Sequence, residues 1–263
     1  MKKITLLFLT AICFSCVDHM EEGNNAFENE NFDEALAHYE YVEEYDNNNW
    51  QVHYNIARCY EELKNYNKSK KYYTQAIRKS IKPDETLFLG RGRCYWNLED
   101  YESAIMDFST VINLDEKNFD AYYLRGKSHM KTLNYNDAFW DLLESIKLDN
   151  DHIYARYHFA LVKGQSGSLK GALNDLNRVI RDKDDFGRAY YNRGIIKQRM
   201  GRYGGAVKDY SEAIKLGVGI ADIYARRAEL HLKLNAPKKA CKDLKVAVKL
   251  DKGYKDAYFD YCQ

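Results

Sequence analysis

A small side chain returns at a fixed interval along nearly the whole chain, and this feature limits the fold more than any other. It stands at Gly23, Ala57, Gly92, Gly126, Ala160, Gly194 and Ala228, at steps of 34 residues except for 35 between Ala57 and Gly92. Twelve residues after each comes a second small residue: Ala35, Ser69, Ala104, Ala138, Ala172, Ala206 and Ala240. Four further on lies a large one: Tyr39, Tyr73, Phe108, Leu142, Leu176, Tyr210 and Leu244. Two helices can approach closely only where their facing side chains are small, and large neighbours must then fill the grooves beside the contact. Only Pro83 and Pro237 interrupt the chain with proline, so long stretches are free to be helical. A repeat of this length, with this alternation, describes a helical hairpin copied seven times and stacked.

The residues and the period resemble the tetratricopeptide repeat (TPR) family, over residues 16–254. The resemblance implies an all-α, right-handed superhelical solenoid. Its units are expected at about 16–49, 50–84, 85–118, 119–152, 153–186, 187–220 and 221–254. Asn31, Asn65, Asp100, Asn134 and Ser168 stand where a polar side chain would cap the second helix of a unit. Pro237 falls in the first turn of the last such helix, where proline is tolerated. The proline that commonly closes a TPR unit is replaced here by Asn47, Glu116, Asn150, Asp184, Val218 and Lys252. Residues 255–263 resemble the opening of one more first helix. The stub either folds back as a cap or offers an aromatic edge to a second copy or a partner.

The N-terminus reads as an address. Met1-Lys2-Lys3 is basic, and Ile4 to Phe14 is apolar apart from Thr5 and Thr10. As a helix this run would be about 16 Å long, roughly half a bilayer core, so residues 1–15 are expected to be a removed signal peptide. Ser15 then precedes Cys16, which resembles the lipobox of bacterial lipoproteins in a relaxed form, with Cys13 and Phe14 in place of the usual leucine and small residue. The resemblance implies lipidation at Cys16 and attachment to a membrane of the bacterial cell envelope, facing the periplasm or the cell surface. Plain secretory cleavage and an uncleaved anchor are the alternatives.

Composition excludes rather than identifies. Forty basic side chains against 39 acidic ones leave a formal charge of +1, and loss of Lys2 and Lys3 with the leader removes even that excess. A nucleic-acid partner needs a surplus of positive charge to displace counterions, so none is expected. No nucleophile motif, phosphate-binding glycine loop or paired-carboxylate signature occurs, so neither catalysis nor a cofactor is expected. The seven histidines show no metal-ligand spacing with cysteines or acids. Cys59 and Cys94 occupy equivalent places in successive units and read as buried small apolar residues. Cys241 and Cys262 could bridge only if the terminal stub docks.

Two charged series keep the repeat. Asp107, Asp141, Asp175, Asp209 and Asp243 occupy the twenty-third place, and Arg91, Arg125, Arg193 and Arg227 the seventh. Equivalent places in neighbouring units are about 10 Å apart, too far for acids to share a metal ion, so the pattern predicts a ladder of partly buried ion pairs. Pairing within a unit would orphan Asp175, because Phe159 replaces its arginine. Pairing across units would orphan Asp141.

The first helix of each unit touches its partner and the preceding unit, which leaves places two, five, six, nine, twelve and thirteen on the concave side. The family resemblance implies that this is the ligand surface. In units two to six it carries Tyr54, Arg58, Arg93, Trp96, Tyr123, Lys127, Lys131, Tyr154, Tyr157, Arg188, Tyr191 and Arg199, against Glu61, Glu62 and Asp120. Exposed aromatic and arginine side chains are the usual material of binding hot spots. The expectation is a membrane-anchored adaptor that binds a protein or peptide of acidic character. A solvated face whose tyrosines stabilise the array is the plainer reading. Self-association through the C-terminal edge and binding of an envelope glycan are the other functional ones.

Overall fold

Each small residue of the repeat sits where two helices touch. The computed structural model describes residues 16–262, which hold fifteen α-helices, one 3-10 turn and no strand. The chain divides into two compact units, Met1–Asn134 and Tyr135–Gln263. The expected leader, residues 1–15, lies outside the described residues.

The first unit holds α1 (16–28), α2 (Phe32–Tyr45), α3 (Trp50–Glu62), α4 (Tyr66–Lys79), α5 (Glu85–Asn97), α6 (Tyr101–Leu114) and α7 (Phe119–Lys131). The second holds α8 (Tyr135–Leu148), α9 (Ile153–Gln165), α10 (Leu169–Asp182), α11 (Gly187–Arg199), α12 (Tyr203–Lys215), α13 (Ala221–Lys233), α14 (Pro237–Leu250) and α15 (Lys255–Cys262), with a 3-10 turn at Lys252–Tyr254. In each unit consecutive helices pack on one another. No helix among the described residues is long and apolar enough to cross a membrane.

The core is built from the repeat's large residues lying over its small ones. Tyr39, Phe108 and Tyr210 are fully buried, and a Cβ added to Gly23, Gly92 or Gly194 would stand 2.7, 2.6 or 2.5 Å from their respective rings. Leu176 and Leu244, which are narrower, face Ala160 and Ala228 instead. Tyr73 breaks the rule by pairing with Ala57, and the reason lies one helix further on. Its ring leans into Gly90 of α5, where an added Cβ would come within 2.3 Å. Burial of each such side chain contributes about 2–3 kcal/mol.

The seven tight turns at the fifteenth place share one backbone feature. Glu30, Lys64, Glu99, Leu133, Gly167, Gly201 and Asn235 all have positive φ, between 55° and 84°. This is the left-handed residue that ends a helix and frees the chain to reverse; only two of the seven are glycine. The caps follow the expectation in part. Asn65 and Asp100 accept from the N–H groups of Lys68 and Ser103. Asn31 and Ser168 make no such bond; the Asn31 amide donates to Glu34 instead, at 2.5 Å. The first helices carry caps that periodicity did not expose, from Asn49, Asp84, Asn118 and His152.

The terminal stub docks. Tyr258, Ala257 and Cys262 pack with Ala228, Leu232 and Leu244, and Cys241 is bonded to Cys262 with their Cα atoms 5.4 Å apart. Phe259 and Tyr261 remain exposed. The extra residue between Ala57 and Gly92 is absorbed in the loop before α5, where Ile81 is 95% exposed.

Candidate functional site

The charged series come together as rungs, and their geometry answers the pairing question. Arg91 reaches Asp107 through Nε and Nη2 at 2.8 and 2.7 Å, Arg193 reaches Asp209 at 3.0 and 2.8 Å, and Arg227 reaches Asp243 at 2.8 and 2.6 Å. These pairs lie within one hairpin. The third guanidinium nitrogen points the other way: Nη1 of Arg125, Arg193 and Arg227 donates to Ser109, Asn177 and Ser211 on the preceding second helix, at 2.9–3.0 Å. Arg193 and Arg227 therefore neutralise the carboxylate of their own hairpin and tie that hairpin to the one before it. Arg125 stands on α7 and Asp141 on α8.

Asp175 is not orphaned, contrary to the expectation for within-unit pairing. Lys163 reaches it at 2.8 Å, with the ammonium 4.0 Å from the centre of the Phe159 ring that replaces the arginine. The source is the eleventh place, one turn beyond the seventh. Lys197 and His231 hold the same place and approach Asp209 and Asp243 at 2.7 and 3.8 Å. Burial pulls the His231 pKa down, against the neighbouring Asp243. Cys59 and Cys94 are buried; loss of water contact pushes both thiols up to about 12.

Much of the predicted concave surface is occupied by contacts between successive first helices. In the first unit Arg93 pairs with Glu61 at 2.8 Å, and the Tyr73 hydroxyl donates to the same carboxylate at 2.7 Å. The Arg58 guanidinium lies over the rings of Phe27 and Tyr54, at 4.1 and 5.6 Å. In the second unit Tyr157 is buried and accepts from Asn192, Arg199 donates to the Gly164 carbonyl at 2.6 Å, and Tyr191 donates to Asp222, which also holds Arg226. Asn192, Asp222 and Arg226, together with the Gln198–Glu229 contact, were missed by the sequence reading. Asp222, Arg226 and Glu229 occupy the same concave places in the seventh unit, so extending the pattern by one unit would have found them. With Tyr254 and Tyr261 they line an open cavity of about 360 Å³. Tyr154 and Arg188 stay exposed.

One group on the first unit's face is not satisfied in this way. The Lys127 ammonium lies 4.2 Å from the Trp96 ring centre and 5.2 Å from that of Tyr123, and Lys131 lies 5.8 Å from that of Tyr101. Burial, reinforced by Lys131, pulls the Lys127 pKa down. No acid pairs with Lys127 among the described residues. The Trp96 indole N–H is buried and has no acceptor. A buried donor and a desolvated cation without a counter-charge both cost free energy that an anion would recover.

A tetratricopeptide repeat family model matches residues 86–118 and 187–216, two of the hairpins just described. Those two stretches are tetratricopeptide repeats. A second model, described as regulator of microtubule dynamics protein 1-3, matches residues 25–87. Among solved structures, a TPR protein from Parabacteroides merdae is 18% identical, with a TM-score of 0.70 over 93% of this chain and 97% of that one. The C-terminal part of a TPR protein from Cytophaga hutchinsonii is also 18% identical, with a TM-score of 0.73 over 93% and 99%. YrrB, described as a TPR protein with an unusual peptide-binding site, is 20% identical, with a TM-score of 0.59 over 68% and 92%. At these identities the likeness concerns the fold. No curated protein matches the chain at a significant level.

Proposed function

We propose that this TPR protein is a lipid-tethered scaffold of the bacterial cell envelope that holds an acidic segment of a protein partner on the face formed by α5 and α7. The observation that carries the reading is the unsatisfied pair of Trp96 and Lys127, with the exposed Lys131 beside them. An aspartate or glutamate placed there would accept from the indole N–H and neutralise the ammonium, while the aromatic rings exclude water around both. The neighbouring contacts on the same face, such as Arg93 with Glu61, are already complete and serve to hold α5 in place. The peptide-binding site named for YrrB supports a TPR array of this kind in that role.

The tether rests on the leader and on Cys16. Cys16 already lies within helix α1, so acyl chains on that residue would hold the first hairpin against the lipid surface with almost no linker. A second reading, self-association, is favoured by Phe259 and Tyr261, which α15 leaves exposed. Immobilised full-length protein, challenged with envelope extract, separates the two. The first reading expects a protein retained by the parent, released by added salt, and lost from a Lys127→Ala, Lys131→Ala double variant. Retention unchanged in that variant would refute the α5–α7 face. A mass that rises with concentration and falls back in Phe259→Ser, Tyr261→Ser would favour the second.

A further inference from the structure

The first hairpin brings together three side chains whose spacing in sequence suggests nothing. His19 and Glu22 stand one turn apart on α1, and His38 faces them from α2. Nδ1 of His19 lies 2.8 Å from Nδ1 of His38. Both nitrogens approach the same oxygen, Oε2 of Glu22, at 3.4 and 3.2 Å. With both ring protons on Nε2, the two imidazoles and the carboxylate direct lone pairs at one point, and a cation between them removes the repulsion. A proton shared between the rings would satisfy one edge of the triangle. A metal ion would satisfy all three.

The dimensions favour the metal. A tetrahedral zinc ion with bonds of about 2.0–2.1 Å holds its ligand atoms about 3.3 Å apart, which matches the two edges to Glu22, at 3.4 and 3.2 Å, while the 2.8 Å edge between the rings would open by about 0.5 Å on binding. Imidazole with one carboxylate is a borderline donor set, suited to zinc, copper or nickel and not to magnesium or calcium, which require oxygen donors. The rings are sheltered, with 30% and 22% of their surfaces exposed, while the carboxylate is 57% exposed, so an ion can enter from the Glu22 side. The Tyr41 ring, 4.0 Å from that of His19, covers another side. We propose that His19, Glu22 and His38 bind one divalent transition-metal ion of the zinc class, which clamps α1 to α2 and keeps a fourth position open to solvent or a partner's side chain.

Full-length protein in detergent, stripped with a chelator, is titrated with zinc alone and followed calorimetrically. The expected result is one ion per chain, with affinity lowered at least about tenfold in His19→Gln and in His38→Gln. A His158→Gln control, at a histidine on α9, retains the parent affinity. Cobalt in place of zinc should give the visible bands of a tetrahedral site, and these should vanish in the same two variants. Glu22→Gln tests the exposed ligand without disturbing the packed rings, and far-UV circular dichroism verifies that each variant is folded. Absence of stoichiometric binding by the folded parent overturns the proposal. So does zinc binding of equal strength in parent, His19→Gln and His38→Gln, which would place the ion elsewhere.

Discussion

Gly194→Ala tests the packing rule on which every hairpin depends. The new Cβ would stand 2.5 Å from Cε1 and 2.7 Å from Cδ1 of Tyr210, where carbon atoms normally sit about 3.5–4.0 Å apart. The ring would have to retreat by about 1 Å, yet it is fully buried and its hydroxyl is held by Gln198 at 2.7 Å. Overpacking of this kind costs about 1–3 kcal/mol, and alanine returns about 1 kcal/mol through helix propensity. The net loss should be about 1–2 kcal/mol. Tyr210→Leu alone leaves a space beside Gly194 and removes the hydroxyl contact, at a cost of about 2–3 kcal/mol. The double variant recreates the Ala160–Leu176 and Ala228–Leu244 combinations already present, so it should be at least 1 kcal/mol, roughly, more stable than the two losses added together. Urea unfolding followed by far-UV circular dichroism, with slopes compared, measures all three. Additivity within about 0.5 kcal/mol, or a neutral Gly194→Ala, would refute the size-matching argument.

Glu99→Gly should raise stability by about 0.5–1 kcal/mol and Gly201→Ala should lower it by about 1 kcal/mol, since both residues hold positive φ; thermal unfolding reads both signs. Arg91→Ala strands the buried Asp107 carboxylate and should cost about 3 kcal/mol, whereas Lys163→Ala should cost about 1 kcal/mol because Asp175 stays 23% exposed. Burial raises Tyr72, Tyr157 and Tyr191 from 10 to about 12, so the neutral ring is favoured in the folded state. Their contribution is complete below pH 10 and is lost as pH rises from 10 through about 12; absorbance of tyrosinate against pH should show a late fraction that titrates together with unfolding. Reduction of the Cys241–Cys262 bond, which closes a separation of 21 residues, should destabilise the chain by up to about 3 kcal/mol and speed hydrogen exchange in α15 ahead of other helices.

The alternation of small and large side chains at a 34-residue period was sufficient to place the helices and to name the core, because it is set by geometry along a single helix and by volume where two helices meet. The same period set Arg91, Arg193 and Arg227 beside a recurring acid, but whether that acid belongs to the same hairpin or to a neighbouring one was decided only by the geometry. Sequence could not settle which concave side chains are already engaged. Arg93, Tyr157 and Tyr191 find their partners on neighbouring hairpins, and whether a long side chain reaches one depends on the angle and offset between helices, which no single-helix pattern contains. The left-handed turn at the fifteenth place was equally hidden, since glutamate, lysine, leucine and asparagine fill it beside two glycines. His19, Glu22 and His38 show the limit most clearly. Their convergence is a property of the antiparallel packing of α1 on α2, and only the tertiary structure could decide it.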